Sequence, residues 1–168
     1  MRKFLTARVL FGALALSCLS LLAAVWFVQY GPDRQQPCPL CILQRYGYIL
    51  LAAVCLTAAL HGPGRRGTLV YAGLATLVTA AGSAIAIWQV TKGGTMLSCL
   101  ADPVGEFVNN LPTASAWPEF FFATGGCADV LPPVLGLTVP VWSLLCFALF
   151  LGVSLATLIQ ALRAKRPN

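Results

Sequence analysis

Four long apolar runs separated by short polar stretches organise this chain. They cover about residues 9–28, 41–60, 69–90 and 139–162. Each has the roughly 20 residues that a helix rising about 1.5 Å per residue needs to cross a hydrocarbon core of about 30 Å. The first run exceeds the ~7–15 apolar residues of a signal-peptide core, so it reads as a retained span rather than a cleaved leader. The pattern predicts an all-α membrane protein: one membrane domain over 1–168, built as a four-transmembrane-helix bundle. Its loops on one side are short, about 30–40, and long, about 91–138, the long one joining helices 3 and 4.

Composition agrees, with 58% hydrophobic and 10% charged residues where a soluble domain carries about 25% charged. Mean hydropathy is +0.81. The net charge of +6 is not spread over a face that would grip nucleic acid; it falls in clusters between apolar runs. Arg2, Lys3, Arg8, Arg65, Arg66, Arg163, Lys165 and Arg166 are eight of the eleven basic residues, and a four-span chain places all of them on one side. The five acids, Asp33, Asp102, Glu106, Glu119 and Asp129, fall on the other. The positive-inside rule then puts both termini in the cytoplasm and the two loops outside.

The long outer loop is partly apolar. Pro103 to Leu111 reads as a short amphipathic helix lying in the interface. Trp117 and the run Phe120, Phe121, Phe122 read as anchors at headgroup level, since three adjacent phenylalanines are costly to leave in water. No repeat or low-complexity segment is present.

Seven cysteines carry the candidate chemistry. Cys18, Cys55 and Cys146 lie inside spans and read as small apolar packing groups. Cys38, Cys41, Cys99 and Cys127 face the outer, oxidising side, where disulfides persist. Four cysteines allow three pairings; close spacing favours Cys38 with Cys41, which leaves Cys99 with Cys127. Cys41 falls in the first turn of the second span, where the positive end of the helix dipole favours a thiolate. Arg45 shares its face one turn on, a cation suited to a thiolate or to a developing anion, and Gln44 adds a hydrogen-bonding group at the same depth. A four-cysteine zinc site is disfavoured because the second pair is widely spaced, so no metal is expected. The alternative to a redox enzyme is a non-catalytic membrane scaffold with two structural disulfides, which gives no reason for a cation beneath the dithiol.

Residues 38–46, Cys-Pro-Leu-Cys-Ile-Leu-Gln-Arg-Tyr, with four spans and a second cysteine pair between spans three and four, resemble the disulfide bond formation protein B (DsbB) family. Gly-Gly-Cys-Ala-Asp at 125–129 and the stretch Gly136 to Leu144 add to the resemblance, which covers nearly the whole chain. Vitamin K epoxide reductases share the chemistry, but their loop cysteines precede the C-x-x-C. The resemblance implies a protein-dithiol:quinone oxidoreductase of the bacterial inner membrane. Its partners would be a periplasmic DsbA-like thioredoxin-fold oxidase and the membrane quinone pool, with ubiquinone or menaquinone as cofactor. It further implies that Cys99 receives the partner's thiolate, that Cys127 exchanges with Cys38, and that Cys41 faces the quinone with Arg45 beside it. One departure stands out: many members carry a histidine or basic residue near the end of span three, where this chain has Ile85-Ala86-Ile87-Trp88-Gln89-Val90. Trp88 or Gln89 is the candidate to line a ring pocket there. The single histidine, His61, belongs to the cytoplasmic turn.

Overall fold

The computed structural model describes residues 2–30, 36–92, 103–126 and 133–164. Four long helices dominate: α1 (Arg2–Tyr30), α2 (Pro39–His61), α3 (Arg65–Lys92) and, after three short helices, α7 (Val139–Arg163). All four are long and apolar enough to cross a membrane. The short ones are α4 (Pro103–Asn109), α5 (Pro112–Ala116) and α6 (Pro118–Phe121). Among the described residues there is no strand, only an isolated bridge between Val134 and Leu137. The all-α, four-span architecture expected from the apolar runs is what the chain adopts.

The long helices pack in the order α1 on α2, α2 on α3, α3 on α7. Large apolar side chains such as Phe27, Leu60, Leu77 and Leu149 remain exposed on the outside of the bundle. That is unfavourable in water and ordinary in lipid. Because lipid is as apolar as leucine, close packing holds the helices together rather than hydrophobic burial. The tightest contact surrounds Phe147 of α7, which is fully buried and stacks on Tyr48 of α2 with ring centroids 4.2 Å apart. Its ring occupies the space beside Gly82 of α3, where an added Cβ would lie 2.3 Å from it. Any larger residue at 82 would push α3 from α7.

The three short helices fold over the ends of α1 and α2. Val108 of α4 and Phe120 and Phe121 of α6 are buried in a cluster with Ile42, against which Trp26 and Tyr46 pack. Phe121 stacks on Tyr46, and Trp26 meets both Trp117 and Phe120. Of the aromatic run read as a membrane anchor, Phe120 and Phe121 therefore pack on protein, while Phe122 and Trp117 stay exposed. The physical reason is local. Pro112 and Pro118 start two short helices in quick succession, and the resulting turns direct two rings inward onto aromatic partners. The expected helix from Pro103 is present as α4, with Val108 buried and Phe107 exposed.

Candidate functional site

The start of α2 makes the site. Cys38 is the N-cap residue, in extended conformation, and Pro39 takes the first helical position, where its missing N–H costs nothing. The Cys38 sulfur accepts the backbone N–H of Cys41 at 3.3 Å, the role a serine or aspartate oxygen takes at other helix starts. This cap brings the two sulfurs to 2.7 Å, sharing a hydrogen. The Cys-Pro-x-Cys spacing is thus a helix cap whose capping atom is itself a cysteine sulfur. Cys38 is buried, and its thiol is pushed up, first by the hydrogen bond with Cys41 and then by burial.

Arg45, one turn further, is 5% exposed, an unusual position for a cation that needs an accounting. Its Nη1 donates to the Phe120 carbonyl at 2.5 Å and its Nη2 to Gln29 Oε1 at 2.7 Å. The guanidinium also lies 4.8 Å from the Phe120 ring centroid. Gln29 Nε2 and the Tyr30 hydroxyl both donate to the Glu119 carbonyl, at 2.6 and 2.9 Å. Arg45 therefore joins α2 to α1 and to α6 in one network. Its Nε is buried and has no partner among the described residues.

Gln44 is also buried, and its Nε2 donates to Gln89 Oε1 of α3 at 2.7 Å. Gln89 in turn donates to both sulfurs, 3.2 Å to Cys38 and 3.3 Å to Cys41. Trp88, its neighbour in sequence, points outward and is exposed. Of the two candidates on span three, Gln89 is the one at the site, and it contacts the sulfurs rather than lining the cavity described next.

A cavity of about 320 Å³ lies in the space between α1 and α7, with α2 behind it. Leu22, Val25 and Val28 form one wall, Val139, Trp142 and Ser143 the other. Cys41, Gln44 and Arg45 supply polar groups at its back, and Tyr48 lies deeper. The turn carrying Leu135, whose φ is +52°, borders it. An apolar cavity of this size with a few convergent polar groups is the usual form of a small-molecule site.

Cys99 and Cys127 lie outside the described residues. The chain leading to Cys127 is described as far as Gly126. Thr124 and Gly125 both donate their backbone N–H to the Pro37 carbonyl at 3.1 Å, one residue before Cys38. Gly125 is required there, because a Cβ would sit 2.6 Å from the Gln36 carbonyl oxygen. Asn109 braces this segment, accepting the Ala123 N–H at 2.8 Å and donating to the Ala123 carbonyl at 3.2 Å. His61 bonds Tyr71 at the opposite end of α2, away from the dithiol. Among the described residues no group of three or more metal-ligating side chains is present.

A protein-family model described as Disulfide bond formation protein DsbB matches residues 7–157. A curated relative from Nitrosomonas europaea, named Disulfide bond formation protein B, is 39% identical over 146 residues, 85% of this chain and 88% of its own. One of the same name from Cupriavidus necator is 39% identical over 140 residues, 83% and 84% of the two chains. Another from Aromatoleum aromaticum is 37% identical over 148 residues, 86% and 87%.

Proposed function

The chain belongs to the disulfide bond formation protein B (DsbB) family, and on that premise we propose that it is a protein-dithiol:quinone oxidoreductase that reoxidises a periplasmic thioredoxin-fold oxidase of DsbA type. Membership makes it a multi-pass membrane protein with an oxidoreductase role in disulfide formation. The observation that carries the finer reading is a dithiol, Cys38 and Cys41, set against an apolar cavity with Arg45 beside it. A structural disulfide needs neither the cavity nor the buried cation.

The exchange runs through sulfur alone. A thiolate of the oxidase attacks Cys99 and expels Cys127, and Cys127 attacks Cys38 and expels Cys41. The second thiol of the oxidase then closes the oxidase's own disulfide and frees Cys99. Cys99 restores the Cys99–Cys127 bond and leaves Cys38 and Cys41 reduced. Each step breaks one S–S bond and makes another. The bonds from Thr124 and Gly125 to Pro37 support this order. Cys127 is two positions on from Gly125, a reach of at most about 7 Å, and Pro37 adjoins Cys38.

The residues present fit a quinone. The cavity between α1 and α7 has apolar walls for a ring, and the Arg45 guanidinium and the Gln44 amide at its back are polar groups suited to a carbonyl oxygen. A bound ubiquinone or menaquinone would supply an acceptor for two electrons and two protons. Cys41 lies at the cavity wall, where closure of the Cys38–Cys41 bond would release two electrons and two protons, and Arg45 is placed to steady negative charge there. The network through Phe120 and Gln29 fixes the guanidinium so that no reorientation is needed. The distribution of basic and acidic residues supports an inner-membrane location with both termini cytoplasmic and the dithiol on the periplasmic face.

The test is steady-state quinone reduction by the purified protein in detergent, with a reduced thioredoxin-fold oxidase as donor. Turnover that disappears in both Cys41→Ser and Cys99→Ser is expected. Folded wild-type protein that reduces neither ubiquinone nor menaquinone analogues would contradict the proposal.

A further inference from the structure

Gln89 is a buried amide committed at both ends. Its Oε1 accepts from Gln44 Nε2 at 2.7 Å, and its Nε2 lies 3.2 Å from Cys38 Sγ and 3.3 Å from Cys41 Sγ. With the Gln44 Nε2 donating to its Oε1, the Gln89 amide presents its Nε2 to the two sulfurs. Both Gln89 amide hydrogens are then available to sulfur. A sulfur carrying negative charge is a far better acceptor than a disulfide sulfur. An amide also cannot take the sulfur's proton, so it stabilises charge without competing for the hydrogen that leaves with the electrons.

We infer that Gln89, held in orientation by Gln44, is a positioning residue that stabilises the reduced Cys38/Cys41 pair relative to its disulfide. It acts through the sulfurs and from α3, whereas the cavity lies between α1 and α7. The span therefore needs no histidine to act on the pair. The inference rests on the reading of Cys38 and Cys41 as a redox dithiol.

The experiment is a glutathione redox titration of the full-length protein in detergent, carrying Cys99→Ser and Cys127→Ser so that only the proximal pair cycles. Alkylation followed by mass measurement gives the oxidised fraction. The reaction is balanced: the dithiol plus glutathione disulfide gives the Cys38–Cys41 disulfide plus two glutathione thiols. Gln89→Met keeps the volume and removes the donor. It is expected to shift the equilibrium about tenfold toward the disulfide, the size of a hydrogen bond to a charged group. Gln44→Met, which only frees the orientation, is expected to shift it about threefold in the same direction, with the double variant no further than Gln89→Met alone. A Gln89→Met equilibrium within about twofold of the parent, with only thermal stability lowered, would overturn the inference, and so would fully additive shifts. Should Gln89→Met not fold, Gln44→Met decides on its own: no shift overturns the inference. A parent pair that does not exchange with glutathione at all would remove the redox reading itself, a failure distinct from an unchanged variant.

Discussion

Cysteines occupy two regions of this bundle, and their surroundings differ more than their positions. Cys18 and Cys55 are fully buried in the apolar interior with Phe11, Leu51 and Phe147, and Cys146 packs against the same cluster. Cys38 and Cys41, at the end of α2, touch each other, a backbone N–H and the Gln89 amide, with Arg45 a turn away. The interior thiols have apolar neighbours that offer a thiolate nothing. The terminal pair has a helix N-terminus, an amide and a cation. On the proposed function, reactivity belongs to these surroundings. Burial alone, which both groups share, does not confer it.

The sharpest way to break this contrast is to exchange the fates of the two groups. Cys41→Ser should lower quinone reduction by at least about a thousandfold, since no second sulfur remains to close the pair. Replacing Cys18 and Cys55 together by alanine should leave turnover per folded molecule within about twofold. Their loss removes packing only, at roughly 1 kcal/mol or less each in thermal unfolding.

Arg45→Met removes the cation but keeps most of the stem. Quinone reduction should fall about 10–100-fold, while the donor protein still reduces the loop disulfide. Arg45→Lys should recover little of this, because an ammonium cannot reach both Gln29 Oε1 and the Phe120 carbonyl. Loss of loop exchange in Arg45→Met, measured by alkylation of Cys99 and Cys127, would show that the arginine serves the loop rather than the cavity.

Gly125→Val tests the junction between the pairs. The side chain would strike the Gln36 carbonyl and separate Thr124 and Gly125 from Pro37. Turnover with a protein donor should drop about tenfold, an effect of misplacing reacting atoms by an ångström or so. Direct exchange of Cys38/Cys41 with glutathione should not change. The smallest effect concerns the interior: Gly82→Ala forces Phe147 aside and should cost about 1–3 kcal/mol of stability, read in thermal unfolding, without altering the redox equilibrium of the terminal pair.

Much of this was legible before any coordinates. Four apolar runs of spanning length can only be helices in lipid, because every backbone group must be satisfied within its own segment. The short distances within 38–45 are local, so helix periodicity alone places Arg45 one turn from Cys41. Gln89 was only half legible. A polar residue in an apolar span is a signal, but whether Trp88 or Gln89 turns inward depends on how α3 rotates against α2, which no local pattern encodes. Phe120 and Phe121 misled in part: the turns set by Pro112 and Pro118 are local, but what the two rings meet is not. Their adjacency speaks of membrane, while their partners Trp26 and Tyr46 are some 75 to 95 residues away in sequence. Periodicity reports which residues avoid water; it does not report whether lipid or protein receives them.

One measurement addresses the central contrast most directly. The fully reduced protein, carrying Cys99→Ser and Cys127→Ser so that a disulfide formed at the proximal pair is not passed on, is mixed with one equivalent of a ubiquinone or menaquinone analogue, quenched by alkylation, and the state of each of its five remaining cysteines is read by peptide mass. The account predicts prompt loss of free thiol at Cys38 and Cys41, with Cys18, Cys55 and Cys146 remaining thiols. Oxidation of the interior cysteines at a comparable rate, or persistence of both Cys38 and Cys41 as thiols, would contradict it.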